Sequence, residues 1–199
     1  MNKFGLFALS FSLWIPCVAA TELVSPNNKI KVVLELQNDA QPQFKVHYSA
    51  GEKTIDVLRD SLLGLKTDKQ DFSTLTLVSE SPETQVHDDY TMLHGKRKHC
   101  ENTGIEKTFR FKNSSGKCID IVFRVYNDGI AFRYILSEYS DTLHSVKEEL
   151  TEFAVPEGIK RWVQPYTSGY EDFYPLATSG GQQKRWGFPA LFNIENDIF

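Results

Sequence analysis

Cysteine is scarce in this chain and methionine scarcer, with three and two among 199 residues. No stretch repeats apolar residues at the spacing of an amphipathic helix. So few cysteines exclude a disulfide-dense scaffold, and His94, His99 and Cys100 fit no zinc-ligand spacing. A basic excess is missing too: 22 Lys+Arg stand against 26 Asp+Glu, a formal charge of −4. That balance argues against nucleic-acid binding by bulk electrostatics, and Lys96-Arg97-Lys98 reads as a solvated loop. There is no Gly-x-Ser-x-Gly elbow, phosphate-binding loop or dinucleotide fingerprint, no internal repeat and no low-complexity linker. The adjacent acids Asp88-Asp89 and Glu148-Glu149 do not supply an acid/base pair, because neighbours along a strand face opposite ways.

What is present begins with an export signal. Lys3 precedes an apolar run over residues 4–15, and Val18-Ala19-Ala20 offers small residues for cleavage. The run is too short for a bilayer span of about 20 residues. Cys17 does not make a lipoprotein site, since Trp14 and Pro16 stand where small residues are expected. Residues 1–20 are therefore expected to be a signal peptide and 21–199 the folded domain. Export permits a disulfide between Cys100 and Cys118, and two buried thiols are the alternative; geometry decides between them.

Aromatic residues are plentiful, 14 Phe and 8 Tyr, which favours strands. The centre of the chain is residues 118–136, CIDIVFRVYNDGIAFRYIL. Ile119, Ile121, Phe123 and Val125 alternate, Asn127-Asp128-Gly129 interrupts, and Ile130, Phe132, Tyr134 and Leu136 alternate again. This is the pattern of a hairpin with one buried face, its turn marked by Asp-Gly and the positive φ open to glycine. Arg124 and Arg133 lie off the apolar face, placed to reach carboxylates or solvent. The hairpin is expected at the centre of an antiparallel sheet.

Around it the chain reads as short strands between turns: residues 30–36, 43–48, 54–58, 62–65, 74–79, 106–111, 147–155 and 159–163. Residues 188–192 and 194–199 look like strand pieces, and residues 81–102 look irregular. Many short strands at turn-punctuated intervals mean an all-β sandwich or barrel. The chain stops inside an apolar rhythm at residues 196–199, so the sandwich is expected to lack its last strands.

One stretch could carry chemistry: residues 162–175, WVQPYTSGYEDFYP. Trp162, Tyr166, Tyr170, Phe173 and Tyr174 surround Glu171-Asp172. Aromatic faces stack on the apolar faces of sugars, and carboxylates bind hydroxyls or a hard cation. The alternative is a loop that packs its own aromatics beneath the sandwich edge.

Four motifs taken together, SPNNKIKVVLEL, IVFRVYNDGIAFRYIL, EELTEF and YEDFY, resemble the N-terminal domain of glycoside hydrolase family 97 from about residue 25 to 199. The resemblance implies a galactose-mutarotase-like β-supersandwich, preceding a catalytic (β/α)₈ barrel absent from this sequence. It implies an exported bacterial enzyme, periplasmic, outer-membrane-associated or extracellular, acting on α-glucosides or α-galactosides with calcium in its active site. The domain would pack on the barrel and help form the site for an α-linked oligosaccharide. By its place in the tyrosine-rich motif, Glu171 matches the acidic calcium ligand, with Trp162 and Tyr170 on the sugar side. The catalytic carboxylates belong to the barrel, so this chain alone is expected to hydrolyse nothing. Over residues 100–107 it reads CENTGIEK, where family members carry an Asn-Tyr-Asn-Glu-like element. The rival expectation is a free-standing carbohydrate-binding module using Trp162, Tyr166, Tyr170 and Tyr174.

Overall fold

A computed structural model describes residues 20–36, 40–137, 141–169, 171–177 and 186–195. Residues 1–19 of the expected signal peptide, Tyr170, the expected Gly180-Gly181 turn and the last four residues lie outside the described residues. Among the described residues there is no helix, and so none long and apolar enough to cross a membrane.

The first sheet is a meander of β1 (Thr21–Val24), β2 (Ile30–Leu36), β3 (Pro42–Ala50) and β4 (Lys53–Leu62), paired in that order. A short β5 (Leu65–Thr67) follows, and later pairs with β11 (Val146–Glu149). The second sheet holds β6 (Thr76–Glu80), β7 (Thr84–Thr91), β8 (His99–Lys112), β9 (Cys118–Tyr126) and β10 (Ile130–Leu136). Its order is β10-β9-β8-β6, with β7 also on β8.

The two sheets close face to face on phenylalanine. Ile119, Ile121, Phe123 and Val125, the alternate positions of β9, have no exposed surface. Across the sandwich Phe44 of β3 meets Phe123 at 5.7 Å between ring centres. Phe132 of β10 joins them at 5.5 and 5.4 Å. Each fully buried phenylalanine contributes on the order of 2–3 kcal/mol by leaving water, and the rings share the core with buried Leu, Ile and Val side chains. Arg124, off the apolar face as expected, pairs with Glu106 at 2.5 Å and Asp88 at 3.3 Å. Its guanidinium is held above its ordinary range by the hydrogen bond to Glu106.

Three expectations need correction. The 118–136 hairpin does not lie wholly at the sheet centre: β9 is interior, but β10 is an edge strand among the described residues. The turn forms where Asp-Gly predicts, with Tyr126 N–H on Gly129 O at 2.8 Å, yet Gly129 is not at positive φ. Residues 81–102 are irregular only at 81–83 and 92–98, because β7 pairs with β8 from Thr84↔Glu106 to Thr91↔His99. β9 pairs only from Gly104 onward, so the end of this hairpin projects as a two-stranded arm. Water reaches both its faces, which removes the polar/apolar alternation that marks a half-buried strand. Asp88 turns to Arg124 and Tyr126 while Asp89 turns to His99, the opposite facing expected of neighbours.

Cys100 and Cys118 are free, half-buried thiols. Cys118 pairs with Lys112 and Cys100 with Tyr90, placing them at opposite ends of β8. At ~3.4 Å per residue that is roughly 40 Å, far beyond disulfide reach.

Candidate functional site

The motif-bearing segments meet although they are distant in sequence. The SPNN turn places Asn28 at φ 58, and the N–H of Asn27 donates to Asn127 Oδ1 of the YNDG turn at 2.9 Å. At the other end of β10, Tyr134 Oη accepts from Gly64 N–H at 3.0 Å and shares a 2.8 Å hydrogen bond with Thr151 of EELTEF. Burial pushes the Tyr134 phenol above its ordinary range.

From Leu150 the chain runs along the lower half of β4. Leu150 N–H bonds Gly64 O and Glu152 N–H bonds Leu62 O, while Ala154 O accepts from Arg59 N–H, each at 2.9 Å. This pairing carries Phe153 to the sandwich mouth, 6.4 Å from both Phe44 and Phe132 and 6.3 Å from Phe188. The chain then enters a small sheet of β12 (Lys160–Trp162), β13 (Leu176–Ala177) and β14 (Leu191–Asn193), with β12 central.

Trp162, half-buried on β12, stands between Leu176 and Leu191 of the flanking strands. Beyond it Tyr166, Phe173, Tyr174 and Phe188 are all exposed, Phe173 by 88% and Phe188 by 74%. Exposed rings of this size are candidate contact positions. Among the loop's described aromatics, Trp162 is half-buried and Tyr166, Phe173 and Tyr174 are exposed. Glu171 and Asp172 are also exposed, and Asp172 Oδ1 accepts from Phe173 N–H at 2.7 Å. Trp162 ends β12 and Glu171 lies on the connection from there to β13; Tyr170 lies outside the described residues. No group of three or more His, Cys, Asp or Glu side chains among the described residues could hold a metal.

Behind this face lies a groove of about 830 Å³ between β4 and the small sheet, walled mainly by apolar side chains. Val57, Leu58, Phe153, Val163, Phe188 and Phe192 are among them. Arg161 also lines it, with its side chain only 9% exposed. Its Nη2 donates to Pro156 O at 3.3 Å, its guanidinium lies 6.0 Å from the Phe192 ring, and its Nε has no partner. Gln164, 2% exposed, likewise has an unpartnered Nε2. A buried donor without a partner costs about 1–3 kcal/mol. Neither residue was a sequence candidate. The available signal was period two: Ile159, Arg161 and Val163 share one face of the strand, so the arginine occupies a core position.

Two antiparallel sheets closed on a phenylalanine core, with the sequence motifs meeting at both ends of β10, define an all-β sandwich domain. More particularly, the chain belongs to the glycosyl-hydrolase 97 N-terminal family, which matches residues 23–199. It is 32% identical over 148 residues to a probable retaining alpha-galactosidase of Streptomyces bingchenggensis (strain BCW-1), covering 72% of this chain and 22% of that protein. Its fold is similar to that of a crystallised beta-arabinopyranosidase, at a TM-score of 0.77 and 27% identity, over 89% of this chain and 30% of the other. A variant of a glycoside hydrolase family 97 enzyme from Pseudoalteromonas sp. strain K8 shares the fold at a TM-score of 0.72 and 21% identity, over 88% and 27%. Family 97 enzyme structures from the same strain hold panose in one case and acarbose in another. This chain spans less than a third of the length of each relative.

Proposed function

We propose that this chain is the N-terminal accessory domain of an exported family 97 glycosidase acting on α-glucosides or α-galactosides. In that role it packs on the catalytic barrel and completes the site for an α-linked oligosaccharide. The observation that carries the reading is the loop after β12, where Glu171 stands open to solvent among unburied rings. Trp162 and Tyr170 form the sugar-facing side, and Glu171 lends a carboxylate oxygen to calcium. Calcium takes six to eight oxygen ligands. Glu171 and Asp172 alone do not make such a site, so Glu171 fits as one ligand among several supplied by the barrel. The contribution of this chain's own residues is to position that carboxylate and present rings to a sugar; the acid and base come from elsewhere.

The purified chain is expected to show no turnover of aryl α-glucosides or α-galactosides. Exchanged into the Streptomyces α-galactosidase in place of its matched region, it should support calcium-dependent hydrolysis. Glu171→Gln should then raise the calcium needed for half-activity by roughly tenfold or more. A chimera that is active but indifferent to Glu171→Gln would remove the calcium role.

The exposure of Tyr166 and Tyr174, 48% and 41%, favours a second reading, a free-standing carbohydrate-binding module. Affinity of the isolated chain for maltooligosaccharides, lost in Trp162→Ala, would establish it.

A further inference from the structure

The groove between β4 and the small sheet holds a guanidinium that the described structure satisfies only in part. Arg161 enters it from β12 with Nε unpartnered, and the nearest carboxylate oxygen, Glu157 Oε2, lies 3.7 Å from Nη2 on a side chain 79% exposed. A guanidinium stays charged at every physiological pH and presents its donors in a fixed fork that matches a carboxylate. An apolar side chain of similar size would fill the same volume without burying an unbonded donor. An arginine here makes sense when an acceptor arrives from outside the described residues.

The walls indicate what brings it. They are apolar, and two of their rings, Phe153 and Phe188, are 48% and 74% exposed. A sheet edge runs beside them. The outer edge of β4, over residues 53–58, has no strand partner among the described residues. Open edges present unpaired N–H and C=O groups. A lipid answers apolar walls but not backbone edges, whereas an extended polypeptide answers both. The matched region carries the family's N-terminal label and spans 22% to 30% of the longer relatives, so most of their chain lies beyond it.

We propose that this groove seats the polypeptide following this region in family 97 proteins: an extended apolar segment whose Asp or Glu side chain closes on Arg161. The proposal rests on the reading of the chain as an accessory domain, and adds a docking surface separate from the Glu171 loop. The incoming carboxylate accepts from Nε and Nη2 as a bidentate pair.

The test uses peptides tiling the part of the Streptomyces α-galactosidase that follows its matched region, titrated into the purified 199-residue chain with EDTA present. One peptide containing an acidic residue should bind. Arg161→Met should weaken it by at least ~tenfold, Arg161→Lys by less, and Glu171→Gln not at all. In urea, the isolated Arg161→Met chain should be as stable as wild type or more so, whereas a purely structural arginine would leave it less stable. Equal binding by wild type and Arg161→Met, no binding by any peptide, or destabilised Arg161→Met would each overturn the proposal. Dodecanoate binding that needs Arg161, without peptide binding, would reassign the groove to a lipid. Arg161-dependent peptide binding alongside an inactive chimera would sink the functional reading alone; an active, Glu171-dependent chimera without peptide binding would sink the docking surface alone.

Discussion

Tyr134 ties three segments together through one hydroxyl, joining β10 to the Gly64 turn and to Thr151. Tyr134→Phe removes the acceptor from Gly64 N–H and should cost about 2 kcal/mol in urea unfolding at neutral pH, with the fold retained. Asp120 of β9 is a second such residue. Arg110 donates to it through Nε and Nη2, both at 2.8 Å. That hydrogen bonding holds the carboxyl below the usual carboxylate range, against the opposing effect of burial. The unfolded chain therefore binds this proton more readily than the folded one, so stability from the pair is full above the ordinary aspartate value of about 3.9. It disappears as pH falls through the lower, folded value. Urea midpoints from neutrality to about pH 3 should fall less steeply for Asp120→Asn than for wild type. An equal slope in both would remove Asp120 from the acid response.

Among the elements, β9 and β8 hold the sandwich and the β7–β8 arm does not. Phe123, with no exposed surface between Phe44, Phe109 and Phe132, has the most to lose. Phe123→Ala should cost about 3–5 kcal/mol, a loss readable in thermal or urea unfolding. Gly104 marks where β8 leaves β9, and a Cβ there would come within 2.8 Å of the Tyr126 ring and 3.1 Å of Val125 O. Tyr126 is anchored by its hydroxyl donating to Asp88 at 2.6 Å, so it does not yield freely. Gly104→Ala should destabilise by about 1–3 kcal/mol, and less in a Tyr126→Ala background. Past Gly104 the arm ends in Met92, 42% exposed, and Leu93, 96% exposed. With few buried contacts its amides should exchange with deuterium well before those of β9.

At the scale of the molecule, a closed core lies beside an open groove among the described residues. The meander and the second sheet bury their phenylalanines against each other, while β4, β10 and the small sheet leave apolar side chains and strand edges facing outward. Under the docking proposal, the open groove is the surface that meets the rest of such an enzyme.

Much of this was legible in residue order. Period-two spacing identified β2, β9 and β10 because strand side chains alternate and one face of each meets the core. Four short motifs identified the family, and the structure brings two pairs of them into contact, Asn27 with Asn127 and Tyr134 with Thr151. The aromatic loop with Glu171 stood out because rings and carboxylates together suit sugars or a hard cation, and a role for Glu171 came only from the family resemblance. Tertiary structure decided the rest. It separated Cys100 from Cys118 along β8, since sequence distance says nothing about which way a strand returns. It built β7 from polar residues, since backbone pairing needs no apolar face. It buried Arg161 with an unanswered donor, since whether a charge on a strand meets solvent or a groove depends on what packs across from it.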